Sequence, residues 1–111
     1  MSLLLPRVAL AVALMTGSAE AAGFALIGDG AESCGSWTVY RRDRRASGEE
    51  QWILGFLSGI GAAPPSAGPV VNPLNGVDAQ AVLIWMDNYC RDHPLDLIMT
   101  AGEAFVVMHP R

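Results

Sequence analysis

Residues 78–96 read Asp-Ala-Gln-Ala-Val-Leu-Ile-Trp-Met-Asp-Asn-Tyr-Cys-Arg-Asp-His-Pro-Leu-Asp, and the rest of the chain is organised around this stretch. Its apolar residues recur at i, i+3, i+4, i+7 and i+8, the spacing of one face of an α-helix. Asp78 precedes the run, where its carboxylate can accept from free backbone N–H groups of the first turn. Pro94 disfavours helical geometry at the residue before it, so we expect the helix to end near Arg91. The predicted apolar face consists of Val82, Trp85, Met86, Tyr89 and Cys90.

A second helix is predicted from Ser47 to about Ile60. Ser47-Gly48-Glu49-Glu50 has the form of a capping box, in which Ser47 and Glu50 each accept from the other's backbone N–H. Gly55 and Gly59 share one face, and each costs about 1 kcal/mol of helix propensity relative to Ala. We therefore expect another backbone to approach that face closely. The apolar stripe of this helix is Trp52, Ile53, Phe56, Leu57 and Ile60.

A third helix is predicted from Pro94 to about Met108, because Pro suits the first helical position and His109-Pro110 ends the pattern. Residues 34–40 fit either an extended segment or a short first helix. Together these segments predict an all-α fold, a small single-domain bundle of three to four helices. The stripe of the third helix is Leu95, Ile98, Met99, Ala101, Gly102, Phe105 and Val106.

The N-terminal residues have the pattern of a secretory signal peptide, which we assign to residues 1–21. Arg7 supplies the positive charge, an apolar run too short to span a bilayer follows, and Ala19-Glu20-Ala21 has the small-x-small form of a cleavage site. The mature domain is then residues 22–111, which we expect to be exported without stable insertion into the membrane.

The mature chain keeps six Arg and ten acidic residues, a formal charge of −4 without any Lys. This acidic balance argues against general binding of nucleic acid. Cys34 and Cys90 are the only cysteines, and an even count in an exported protein favours a disulfide over two free buried thiols. The bridge would close 57 residues and stabilise the fold by about 4 kcal/mol in the chain-entropy model.

No set of residues has the spacing of a catalytic or metal site, so we predict a non-enzyme without a cofactor or bound metal. His93 lies at a helix boundary and His109 near the C-terminus. Glu49 and Glu50 are explained by capping, and Asp87 with Arg91 by an i, i+4 surface pair.

Two segments are candidates for binding a protein partner. Residues 41–45 contain four Arg, and either form a patch for an acidic partner or are a solvated connection. Residues 61–77 are rich in Pro and Gly, and a loop this long is either functional or disordered. The candidate contact residues are Arg41, Arg42, Arg44, Arg45, Pro69, Val70, Val71, Asn72, Leu74 and Asn75.

Three elements carry a family resemblance: Cys34-Gly35-Ser36-Trp37, the run from Trp52 to Gly59, and the run from Trp85 to Leu95 with its Tyr-Cys-x-x-x-Pro-Leu core. In this order they resemble the Rap/Tai-type immunity proteins of type VI secretion, near the HdeA-like small periplasmic helical proteins. The resemblance implies an all-helical fold with a Cys34–Cys90 disulfide. It also implies a location in the periplasm and a non-enzymatic role there, binding and blocking a cell-wall amidase effector, often as a homodimer.

Two functions follow as hypotheses. The first is a periplasmic immunity or inhibitor protein with one specific amidase partner. The second is an HdeA-like acid-stress chaperone, because protonation of the carboxylates would leave a strongly positive chain that opens by self-repulsion. A third, less specific possibility is an exported interaction module.

Overall fold

The structure is a computed structural model that describes residues 23–110, so the predicted signal peptide lies outside the described residues. Over this range the chain forms four α-helices: α1 (Cys34–Arg42), α2 (Ser47–Ala62), α3 (Ala79–Asp92) and α4 (Ile98–Met108). Short 3-10 turns lie at Asp29–Ala31 and Pro65–Ala67. The predicted all-α fold is confirmed, and residues 34–40 belong to a helix that Ser33 caps by accepting from the Ser36 N–H.

The core lies between two packed helix pairs, α1 with α3 and α2 with α4. The apolar face predicted for residues 82–90 is confirmed, with Val82, Met86 and Cys90 fully buried and Trp85 and Tyr89 packed around them. In the predicted stripe of α2, Ile53 and Leu57 are fully buried, Trp52 and Phe56 pack against the core, and Ile60 is half-buried. The core residues are Cys34, Trp37, Ile53, Leu57, Val82, Leu83, Met86, Cys90, Ile98, Ala101 and Phe105.

The predicted disulfide between Cys34 and Cys90 is confirmed. Both residues are fully buried, and their Cα atoms lie 4.6 Å apart. The bridge joins the first turn of α1 to the last turn of α3, so it fixes the two helices side by side in the core.

The predicted start of the last helix at Pro94 is wrong, because α4 begins at Ile98. Residues 94–97 instead lie beside residues 32–35, where the Cys34 N–H donates to the Asp96 carbonyl (2.7 Å) and the Ile98 N–H to the Glu32 carbonyl (2.8 Å). These long-range bonds hold the segment in an extended turn. Leu95, which is predicted to lie in the apolar stripe, is 93% exposed.

The predicted capping box of α2 does not form. Ala46 is the N-cap, and the Glu50 N–H donates to its carbonyl (2.8 Å), so Ser47 already lies within the helix. The turn between α1 and α2 is tight, with Arg44 in the left-handed region at φ 58° and Ala46 buried. Glu49 and Glu50 therefore have no capping role, and their side chains contact other parts of the fold.

The close backbone approach predicted at Gly55 and Gly59 is also wrong, since a Cβ at either position would meet nothing within 4 Å. The close approach occurs at Gly102 in α4. A Cβ there would stand 2.7 Å from Ile53 Cδ1 and 3.1 Å from the Phe56 ring, so this glycine lets α2 and α4 pack closely.

The Pro-rich connection between α2 and α3 is anchored at its centre. The Asn72 N–H donates to the Pro110 carbonyl (3.0 Å), Pro73 is buried, and Leu74 packs against the core. Val70 is 73% exposed between these anchors and the 3-10 turn. In the described part of the chain, none of the helices combines the length and the apolar character that crossing a bilayer requires.

Candidate functional site

A network of charged hydrogen bonds joins α1, α2 and α3 at Arg41. Its guanidinium donates to both oxygens of Asp87, from Nε to Oδ1 at 2.8 Å and from Nη2 to Oδ2 at 2.7 Å. The remaining Nη1 donates to Glu50 Oε2 at 2.9 Å. Asp87 Oδ1 also accepts from the indole N–H of the buried Trp37 at 2.8 Å. One arginine therefore fixes the relative positions of three helices.

This network corrects two predictions made from spacing. Asp87 pairs with Arg41, 46 residues away in the chain, and not with Arg91 one turn further along α3. Arg91 lies 3.5 Å from the carboxylate of Asp92 instead. The pKa of Arg41 is raised above its ordinary value, chiefly by the bond to Asp87 and further by the bond to Glu50, against a lowering by desolvation.

The four arginines of residues 41–45 have different surroundings. Arg41 and Arg42 lie in the last turn of α1, where cations stabilise the C-terminal end of a helix dipole. Arg45 reaches Asp43 Oδ2 at 3.4 Å and lies over the Tyr40 ring, 5.4 Å from its centroid. The carboxylate of Asp43 also pairs with Arg42 at 3.1 Å, and the pKa of Asp43 is lowered, mainly by Arg42 and further by Arg45.

A cleft of about 530 Å³ opens on the surface beside this network. It brings together three of the four predicted arginines, and it adds Arg91 from α3, which sequence reasoning had assigned to a surface pair. Arg45 is absent from its lining. The lining residues are Thr38, Arg41, Arg42, Arg44, Asp87 and Arg91.

The predicted contact residues of the Pro-rich loop do not lie in this cleft. Pro69, Val70, Asn72 and Asn75 are exposed, whereas Val71 and Leu74 are half-buried. The loop enters α3 at Ala79, and Arg91 lies about 18 Å further along the axis of that helix. The structure thus separates the two candidate regions.

A third group of charged side chains was missed by sequence reasoning. Carboxylate oxygens of Asp29, Glu32 and Glu49 all lie within 4.8 Å of one another. Hydrogen bonding to Glu49 is the main cause that raises the pKa of Glu32 to about 7, and burial and the charges of Glu49 and Asp29 raise it further. We call these three residues the carboxylate cluster. The sequence gives no signal of this cluster, because an acidic residue such as Glu49 is also common in the first turn of a helix.

The two histidines both end helices. His93 is the C-cap of α3 with Nδ1 2.9 Å from the Tyr89 carbonyl oxygen, and its ring stacks on Tyr89 at 4.1 Å between centroids. His109 repeats this arrangement at the end of α4 with Phe105. Capping and stacking therefore account for both side chains.

Comparison of the chain with known protein families, characterised proteins and solved structures finds no match.

Proposed function

We propose that this chain is an exported immunity or inhibitor protein, which binds and blocks a cell-wall amidase in the periplasm. The observation that carries the proposal is the arginine-lined cleft. It presents a positive surface on a chain whose net charge is −4. The motifs quoted above, which resemble those of Rap/Tai-type immunity proteins, point to an amidase as the class of partner.

The cleft has the features of a protein-binding site, with a fixed centre and exposed arginines at its edges. Arg41 is held by three charged hydrogen bonds, so little side-chain entropy remains to be lost there on binding. The side chains of Arg42 and Arg91 are 71% and 66% exposed and keep donors free to reach outward. Arginine forks match carboxylates and are frequent anchors in interfaces. An acidic segment of the partner is therefore the best complement.

The Pro-rich loop supplies a second, apolar contact region. Val70 is 73% exposed in a segment whose prolines and Asn72–Pro110 hydrogen bond limit its conformations. Preorganised loops bind with a smaller entropy loss than mobile ones. Specificity for one enzyme would come from this loop, and the arginines would speed association and fix orientation.

Export to the periplasm is part of the proposal. The Cys34–Cys90 disulfide is the bond that an oxidising compartment maintains. The signal-peptide pattern of residues 1–21 gives the route. N-terminal sequencing of protein recovered from the periplasm should find a new terminus near Ala22, and recovery of the uncleaved chain from the cytosol would contradict export.

The test is capture of the partner from host proteins by the purified protein, at neutral and at acid pH, with identification by mass spectrometry. We expect one stoichiometric partner at neutral pH, a peptidoglycan amidase that loses activity in the complex. A mixed set of clients captured only at acid pH would overturn the proposal in favour of the HdeA-like chaperone.

Variants of the arginines then test the cleft. Replacing Arg42, Arg44 and Arg91 together by Ala should weaken binding at least tenfold, about 1.4 kcal/mol of binding free energy. Arg45→Ala is the matched control, because Arg45 belongs to the same run but does not line the cleft. An equal loss in the control, or no loss in the triple variant, would contradict the assignment. Deleting residues 64–75 tests the loop in the same assay.

A further inference from the structure

The carboxylate cluster joins the N-terminal segment of the domain to α2. Asp29 begins the 3-10 turn, Glu32 ends it with its N–H bonded to the Asp29 carbonyl (3.1 Å), and Glu49 lies in the first turn of α2. A Cβ at position 48 would overlap the Asp29 carboxylate, so Gly48 is what allows this side chain to reach the helix. Two of the side chains thus come from the 3-10 turn and one comes from α2, and their carboxylates meet between these two elements.

The cluster has no positive partner among residues 23–110. Every ion pair of that range involves Arg41, Arg42, Arg45 or Arg91, and none of them reaches these three acids. Glu49 is only 7% exposed, and apart from its cluster neighbour Glu32 no described residue donates a hydrogen bond to its carboxylate. Glu32 Oε1 is completely buried and also has no hydrogen-bond partner. Burying ionised oxygens in this way is strongly unfavourable unless a cation or a proton joins them.

We propose that Asp29, Glu32 and Glu49 form a binding site for a divalent cation, with Ca²⁺ as the best fit. Carboxylate oxygens without nitrogen or sulfur donors select hard cations. Three carboxylates supplied by the protein itself suit Ca²⁺, whereas Mg²⁺ usually keeps several waters and is held through one or two carboxylates. The ligand atoms of the cluster lie within 4.8 Å of one another, so one ion can contact all three.

The bound cation would link the N-terminal segment to α2. The backbone carbonyl of Glu32 also accepts from the Ile98 N–H (2.8 Å), so the linked elements include the start of α4. Stability of the exported protein would then depend on the Ca²⁺ concentration outside the cytoplasm. This role is independent of the amidase-binding proposal.

Trp52 provides a built-in probe for the site. Its ring covers Gly30, the residue after Asp29, and its indole N–H donates to the Ile27 carbonyl (3.3 Å). Tb³⁺ occupies Ca²⁺ sites and becomes luminescent when a nearby indole transfers its excitation. Titrating the purified protein with Tb³⁺ should therefore give luminescence that Ca²⁺ displaces, and calorimetry should find one Ca²⁺ per chain.

Isosteric variants decide the outcome. Glu49→Gln and Glu32→Gln should each weaken Ca²⁺ binding at least tenfold and abolish the rise of Tm with added Ca²⁺, while circular dichroism checks that they fold. Glu103→Gln, an exposed acid on α4, is the control and should bind as the unmodified chain does. Trp52→Phe should lose the luminescence and keep the calorimetric signal.

Two results would overturn the proposal. One is the absence of Ca²⁺-dependent heat and of displacement of Tb³⁺ at millimolar Ca²⁺, which would mean that a proton alone joins the carboxylates. The other is Ca²⁺ binding that persists unchanged in Glu49→Gln, which would place the site elsewhere. Neither result bears on the arginine-lined cleft.

Discussion

Glu49 and Glu50 are neighbours in the chain and lie in opposite electrostatic surroundings. Glu50 points to Arg41, which also holds Asp87, so its charge is compensated. Glu49 points to Asp29 and Glu32, so three like charges meet around one buried, unpartnered oxygen. The first turn of α2 therefore carries a compensated network on one side and an uncompensated cluster on the other. Residue type alone does not tell which carboxylate stabilises the fold.

The largest expected effect comes from breaking the compensated side. Asp87→Ala would leave the indole N–H of buried Trp37 without an acceptor and remove the bidentate partner of Arg41. We expect a loss of about 2–3 kcal/mol in the free energy of unfolding, because a buried donor loses its acceptor and the part-buried Arg41 keeps only Glu50 as a charged partner. Chemical denaturation measures this loss. A loss below about 0.5 kcal/mol would show that the Arg41–Asp87 network does not stabilise the fold.

The pH dependence of stability tests the uncompensated side. Glu32 has a pKa of about 7 in the folded chain against an ordinary value of 4.5. The folded state thus holds this proton more tightly, and the stability so gained is present below pH 4.5 and is lost as pH rises through 7.

With a chelator present to remove cations, we expect the Glu32 contribution to be about 1–2 kcal/mol, reduced by solvent screening. Denaturation at several pH values between 4 and 8 should show the decline in the unmodified chain and a flatter profile in Glu32→Gln. Identical profiles would contradict the assignment to Glu32.

Neutralising the two neighbours separately gives the sharpest test of the comparison. With chelator at pH 8, Glu50→Gln should destabilise the chain by about 0.5–1 kcal/mol, because a charged partner of Arg41 is lost. Glu49→Gln should stabilise it by a similar amount, since a like charge is removed and an amide donor is placed near Glu32 Oε1. Effects of the same sign would show that the two surroundings do not differ as described.

The smallest effect is expected where a pair is fully solvated. Arg91 and Asp92 are 3.5 Å apart with both side chains 66% exposed. Asp92→Asn should change the free energy of unfolding by less than about 0.5 kcal/mol. It is the baseline against which the removal of Asp87 is judged, and a loss comparable to that of Asp87→Ala would remove the distinction between part-buried and exposed pairs.

The helices and the disulfide could be predicted from the sequence because their signals are local or are set by pairing. Apolar residues at helical spacing determine the buried faces of α2 and α3 whatever those faces contact. Cys34 and Cys90 leave only one intramolecular pairing. The start of α4 could not be predicted, because backbone bonds from residues 32–35 hold residues 94–97 out of the helix.

The candidate binding surface could be predicted in part. The run of arginines indicates a positive patch, and three of the four line the cleft. The addition of Arg91 and the loss of Arg45 depend on how α1 and α3 lie beside each other. The carboxylate cluster could not be predicted at all, because its members lie up to 20 positions apart.

The sequence by itself determined that this chain is a helical bundle, which faces are buried, and which two sulfurs are joined. Helical periodicity is a local property of the chain, and two cysteines can form only one intramolecular pair. Only the tertiary structure decided the partner of each charge. Electrostatic energy depends on distance and burial, and residues far apart in the chain set both. For that reason Glu49 and Glu50 cannot be distinguished in the sequence, yet in the fold one is compensated and the other is not.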